Sequence, residues 1–516
     1  MRPIQTWHIH KPPVRSRDGV VAAQHHLAAE SGARVLRNGG NAVDAAVTVA
    51  LVLSVVEPWL SGLGGGGFMV AVDAQGKAHA LDFNVRAPLG LDPGRYKVRQ
   101  GNDGDWFDWP VVEGDLNLTG YQSICVPGAV AGLAEALRKL GTISFAEALQ
   151  PAIAHAERGL TIDWYCALAI AIDMDMLARF PASASLFLDD GRVPRVPERG
   201  ELVRPMEAMA KLLRRLADAG PQDFYRGRTA DALIEHLTAG GCAITQDDLA
   251  SYRPRWLPPL EAAYRGRKVF ATPGLSGGMS LAEALNELEL SFAPDSGDAP
   301  AQLTYATAIR RAYETRLTRY GHAAAADDCT SHVSVIDRDG MAVALTNTLL
   351  SRFGSKVVLP ECGILMNNGL MWFDPRPHRP NSIAAGAQPL ANMCPAVLVA
   401  DNGEQIAIGA AGGRKIFPAI LQIVSRMVDF GDGLEAAFHA PRIDASEPTI
   451  LVDARSPDEV ARSLRSDFPV EIVEDTLYPV NFAVPSAVRR TASGTVEGMS
   501  HPNAPWAAAV AADGVR

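Results

Sequence analysis

Cysteine is scarce in this chain of 516 residues: Cys125, Cys166, Cys242, Cys329, Cys362 and Cys394, with no C-x-x-C pair among them. That scatter excludes a disulfide framework and a zinc-ribbon site, and makes a reducing cytoplasm the simplest expected address. Long apolar runs are missing too. The longest, 42–56, contains Asp44, Thr48 and Ser54 and is too short to span a bilayer. Residues 1–20 are polar and lack the secretory apolar core of about 7–15 residues. Basic charge is in deficit, with 48 Lys and Arg against 58 Asp and Glu and a net charge of −10. Neither a nucleic acid nor a membrane is therefore an expected partner. What remains, 47% hydrophobic and 21% charged, is ordinary for a globular chain with a large core.

The pattern along the chain is mixed α/β with antiparallel hairpins. Residues 27–37 read as an amphipathic helix ended by Gly39-Gly40. Asn41 then caps a helix over 42–56 that is apolar on every side and should lie deep in a core. Residues 127–260 are mostly helical. Further helices are expected over 280–290, 305–320 and 417–430, and strands over 268–272, 333–336, 341–349, 396–399 and 405–408. The stretch 321–328 is small and acidic and reads as a loop.

Three glycine motifs compete for attention. Gly62-Leu63-Gly64-Gly65-Gly66-Gly67 matches G-x-G-x-x-G, but a helix precedes it and a strand follows, the reverse of a dinucleotide site. It reads as a turn that lets backbones approach closely. Gly274-Leu275-Ser276-Gly277-Gly278 matches the G-x-S-x-G elbow, with His332 or His439 as later partners, in a chain that lacks the alternating βα pattern of that fold. Gly409-Ala410-Ala411-Gly412-Gly413-Arg414 follows a strand, and its adjacent glycines could aim two N–H groups at one oxyanion.

The strongest feature is Cys329-Thr330-Ser331-His332, at the head of a hairpin turning at Asp337-Arg338-Asp339-Gly340. Two registers fit, pairing Thr330 with Asn347 or with Leu349. Either sets Thr348 beside Thr330. A threonine freed at its amine by a cut after Cys329 would carry nucleophile and base in one residue; an ordinary strand threonine is the plainer alternative.

These pieces occur in order in a known family. Gly39-Gly40-Asn41-Ala42-Val43-Asp44-Ala45-Ala46, Val56-Glu57-Pro58, the glycine run to Phe68, Val126-Pro127-Gly128, Phe224-Tyr225-Arg226-Gly227, Thr330-Ser331-His332, Gly363-Ile364-Leu365-Met366-Asn367-Asn368 and Ala411-Gly412-Gly413 resemble the γ-glutamyltransferase family of N-terminal-nucleophile hydrolases. The resemblance implies a four-layer αββα sandwich made as a self-cleaving proenzyme, with a large chain 1–329 and a small chain 330–516. It implies Thr330 as nucleophile and its α-amine, ordinarily of pKa about 7.7–8.0, as general base. Thr348 matches the second threonine, which bonds to the nucleophile, and Gly412 and Gly413 match the oxyanion pair. No cofactor and no metal are implied. The partners are a small-molecule amide and the two chains of one precursor, with a homodimer of such heterodimers allowed for.

The resemblance fails where the family grips a γ-glutamyl head. The arginine position is occupied by Asn84, the serine pair by Ala391-Asn392, an asparagine by Leu350, and the amide and aspartate by Gly369 and Trp372. Each lost charge-assisted bond costs about 1.5–3 kcal/mol, so glutathione should be a poor substrate. Arg414, Arg352 and Arg86 are candidates for a replacement carboxylate fork, which favours a small carboxylate-bearing amide such as oxamate. Trp372 as a pocket wall favours a cephalosporin-acylase-like amidase instead. A conventional γ-glutamyltransferase or glutathione hydrolase is the other alternative, and a binding protein without turnover is the reading from outside enzymology.

Overall fold

Two seven-stranded antiparallel sheets lie face to face in the computed structural model, which describes residue 7 and residues 9–99, 110–292, 297–320 and 329–514. For Cys329 and Thr330 the description is of the backbone; the expected loop 321–328 lies outside the described residues. The first sheet runs Ala508–Ala511, Gly19–Ala23, Cys329–Asp337, Ala342–Leu350, Gly66–Val72, Ala78–Phe83, Arg255–Leu257. The second runs Val14–Ser16, Val496–Ser500, Val484–Arg490, Gln405–Ala411, Ala396–Ala400, Arg267–Ala271, Leu260–Tyr264.

Strand alternation sorts the apolar residues into layers. Val20, Ala22, Val70, Ile336 and Ala344 from the first sheet meet Phe270, Val397, Ala407 and Val488 from the second. On the outer face of the first sheet, Val21, Met69, Val333 and Leu345 pack in the cluster that holds the helices His26–Arg37, Ala42–Val56 and Phe145–Arg158. On the outer face of the second, Val269, Leu398 and Ile408 meet the helices Gly278–Ser291, Asp298–Thr315 and Ile416–Val428. This is the expected αββα arrangement. Among the described residues no helix is long and apolar enough to cross a membrane.

The helix over Ala42–Val56 has every residue buried, as its all-round apolar sequence requires. Its start is fixed twice over: Asn41 accepts from the Val43 and Asp44 N–H groups, and Asp44 accepts from the Asn41 N–H at 2.8 Å. The helix expected over 305–320 begins earlier, at Asp298, and ends at Thr315. Residues Arg316–Tyr320 continue as a π-helical turn, which starts where the buried Arg316 reaches the Ser276 and Ala391 carbonyls.

The hairpin register falls between the two expected. Ser331 pairs with Asn347 and His332 with Thr346. The cause is a three-residue loop: the Asp337 N–H donates to the Met341 carbonyl at 3.1 Å, and Gly340 takes φ +86°. The Asp337 carboxylate holds this loop by accepting from the N–H groups of Asp339 and Met341 at 3.0 and 2.9 Å.

Candidate active site

The pairing breaks at the head of the hairpin. Cys329 pairs with Leu350 and Ser331 with Asn347, so Thr348 and Leu349 together oppose the single residue Thr330. Such a bulge bends the strand and re-aims its side chains, and bulges gather next to active sites. Thr348 is fully buried, and its hydroxyl accepts from the Leu350 N–H at 2.9 Å. Leu350 itself has φ +85°, a conformation costly for any side chain but glycine or asparagine.

The glycine run lies directly against this strand. A Cβ on Gly65 would sit 2.0 Å from the Thr348 carbonyl oxygen, and one on Gly67 2.0 Å from that of Thr346. Close backbone approach is therefore its purpose here. His332 is equally enclosed: its ring nitrogens lie 2.9 Å from the hydroxyls of Thr346 and Ser334. A Cβ on Gly409 would stand 2.3 Å from the His332 ring. Burial pushes the pKa of His332 down to about 3, so it is neutral at ordinary pH. Ser276 is buried with its hydroxyl bonded to the Thr272 carbonyl at 2.7 Å while it caps the Gly278 N–H. Those bonds account for the G-x-S-x-G match without a nucleophile.

Gly412 and Gly413 close the strand Gln405–Ala411 with φ +128° and +57°, successive values that turn the chain sharply into the following helix. A Cβ on Gly412 would lie 2.8 Å from the Ala483 Cα. Beside Gly412 opens a cavity of about 70 Å³. Its polar border is Gln24, Glu57 and Arg352, and its apolar wall includes Trp59, Tyr165, Leu168, Ile172 and Trp506.

Glu57 follows the apolar helix and accepts a hydrogen bond from the Ser331 hydroxyl at 3.2 Å. Burial pushes its pKa up to about 8, against the smaller opposing effect of Ser331, so it is largely protonated at neutral pH. Sequence reasoning met Glu57 only as part of a motif. Its one signal was an acid placed at the end of a wholly apolar helix.

The expected substrate-binding residues do not converge on this cavity. Only Arg352 borders it, and its guanidinium is paired with Asp173 at 2.5 Å, which also holds Lys356 at 3.1 Å. Arg414 is buried over the Tyr313 ring at 5.3 Å and donates to the Ser446 carbonyl at 3.2 Å; burial lowers its pKa to about 10. Arg86 bonds to Ser251 at 2.9 Å. Asn84 donates to the Pro389 carbonyl at 3.3 Å, and Asn392 accepts from Arg316 at 3.2 Å. Trp372 is 1% exposed and lies in a cluster with Phe68, Val85, Leu350, Ala391 and Met393, a core position in place of the expected pocket wall. Trp59 and Trp506 wall the cavity instead, and no local sequence signal marked them.

Comparison with known proteins places this architecture. The Gamma-glutamyltranspeptidase family matches residues 28–327 and 304–511. A Glutathione hydrolase proenzyme of Pseudomonas sp. (strain A14) is 32% identical over 490 residues, covering 83% of this chain and 82% of the relative. An Acylase ACY 1 proenzyme of Pseudomonas sp. (strain V22) is also 32% identical, over 497 residues, covering 88% and 87%. The solved cephalosporin acylase from Bacillus halodurans superposes with a TM-score of 0.83 at 26% identity, over 99% of this chain and 98% of that one. The chain belongs to the γ-glutamyltranspeptidase family, and it is an amidohydrolase or acyltransferase of the N-terminal-nucleophile kind.

Proposed function

We propose that this member of the γ-glutamyltranspeptidase family is an acylase-type amidohydrolase that cuts itself between Cys329 and Thr330 and then uses Thr330 as nucleophile. In the maturation step the Thr330 hydroxyl oxygen attacks the Cys329 carbonyl carbon. The C–N bond breaks as the ester forms, and the nitrogen, taking the hydroxyl proton, becomes the free Thr330 α-amine; water then hydrolyses the ester, restoring the hydroxyl and leaving Cys329 as a carboxylate. In turnover that amine takes the hydroxyl proton as the oxygen attacks the substrate amide. Gly412 and Gly413 offer N–H groups to the oxyanion. The leaving amine departs with the proton, and water releases the acyl group. Thr348, opposite Thr330 across the bulge, orients the nucleophile.

The observation that carries the substrate argument is the buried cluster around Leu350 and Trp372. It occupies positions at which the family holds a zwitterionic amino-acid head, and it offers apolar surface in place of charge. The acylase relatives support the same reading. A carboxylate-bearing amide such as oxamate has less behind it, because Arg352 already pairs with Asp173 and Arg414 lies over Tyr313. Glutathione hydrolysis is the second reading, favoured by the relative of that name. A panel of γ-glutamyl-p-nitroanilide, oxamate and simple N-acyl-p-nitroanilides tests the choice. The acyl anilides should be turned over about 100-fold faster than the γ-glutamyl compound, from the missing charge-assisted bonds. Comparable γ-glutamyl turnover would return the protein to the glutathione hydrolases.

A further inference from the structure

Two flanks lie beside the backbone at Thr330, one at Leu350, which pairs with Cys329, and one at Glu57, which accepts from the Ser331 hydroxyl. On one, Leu350 and Trp372 are buried and fill the space. On the other, the cavity beside Gly412 is walled by Trp59, Leu168, Ile172 and Trp506. We infer that this cavity is the acyl pocket and that it takes a compact, uncharged, apolar acyl group; the inference rests on Thr330 being the nucleophile.

Size, charge and rigidity agree on that ligand. The volume of about 70 Å³ is several times the roughly 10–15 Å³ that one enclosed water needs, room for a short or branched aliphatic chain. Among the described residues Arg352 is the one cation on the border, and its guanidinium already has a carboxylate partner, Asp173 at 2.5 Å, which it shares with Lys356 at 3.1 Å. The wall is preformed: the Trp59 and Trp506 ring centroids stand 5.2 Å apart, and the Trp506 indole donates to Asp163 at 2.6 Å. A preformed apolar pocket next to oxyanion donors selects by the size of the group it receives.

The test is a series of acyl-p-nitroanilides with one leaving group: acetyl, butyryl, isovaleryl and decanoyl. The value of kcat/KM should rise about fourfold per buried methylene from acetyl to butyryl, and fall for decanoyl. Ile172→Trp, on the helix Trp164–Leu177, should remove the butyryl advantage over acetyl, and Ile172→Ala should move the optimum to longer chains. A flat acyl series, a series that neither variant alters, or a preference that follows the amine would overturn the assignment. Isovaleramide binding, read by tryptophan fluorescence with Trp506→Phe as control, needs neither cleavage nor turnover. A chain that binds isovaleramide but stays uncut keeps the pocket and loses the Thr330 reading. One that cuts itself and shows no fluorescence change loses the pocket.

Discussion

The two flanks of Thr330 are built from opposite materials. Toward Leu350, Trp372 and Ala391 the space is filled by apolar side chains, and Leu350 itself has a φ of +85°. Toward Gly412 and Trp506 there is a cavity with a polar rim. The region between them, the bulged strand pair and the glycine run packed against it, is the proposed place of bond cleavage. On the proposed reading, the difference teaches that substrate choice and amide chemistry occupy separable parts of this fold, so that one can change while the other is kept.

Emptying the filled flank is the largest perturbation. Trp372→Ala should lower the unfolding free energy by about 3–5 kcal/mol, from lost burial and the cavity left behind, measured by urea unfolding. A loss below about 1 kcal/mol would mean that this flank is already open. On the other flank, Gly412→Ala places a Cβ 2.8 Å from the Ala483 backbone at a φ of +128°. The amide must shift, and kcat on an acyl anilide should fall about 10²–10³-fold, with self-cleavage scored in parallel. A drop under tenfold would put the oxyanion elsewhere.

The gentlest perturbation is electrostatic and belongs to the open flank. Folded Glu57 keeps its proton to about pH 8, whereas an unfolded glutamate loses it at about pH 4.3. Between those values the folded state binds the extra proton, so stability is greatest at the acid end and falls as pH rises. The slope contributed is at most about 1.4 kcal/mol per pH unit. Glu57→Gln should flatten it in urea unfolding compared between about pH 5 and about pH 8. An unchanged slope would assign that proton to another group.

Much of this was readable along the chain, and the reasons are local ones. The helix Ala42–Val56 and its Asn41 cap declare themselves within a few residues, as does the hairpin that presents Thr330. The register did not, because it depends on Gly340 turning left-handed and on the Asp337 carboxylate gripping the loop. The cavity was invisible for a different reason. Gln24, Trp59, Ile172, Arg352 and Trp506 are far apart in sequence, and only the fold brings them together. Trp372 and Arg414 were placed at the site by alignment, which gives position along the backbone but not the direction of a side chain. One points into a core and the other onto Tyr313.

The most direct test is the mass of the purified chain and of its Thr330→Ala variant, with acyl-anilide hydrolysis assayed on both. The wild type should resolve into two polypeptides, residues 1–329 and 330–516, the second beginning with a free threonine. The variant should remain one uncut and inactive chain. Hydrolysis retained by Thr330→Ala, or a wild-type protein that stays whole and yet turns over substrate, would contradict the account.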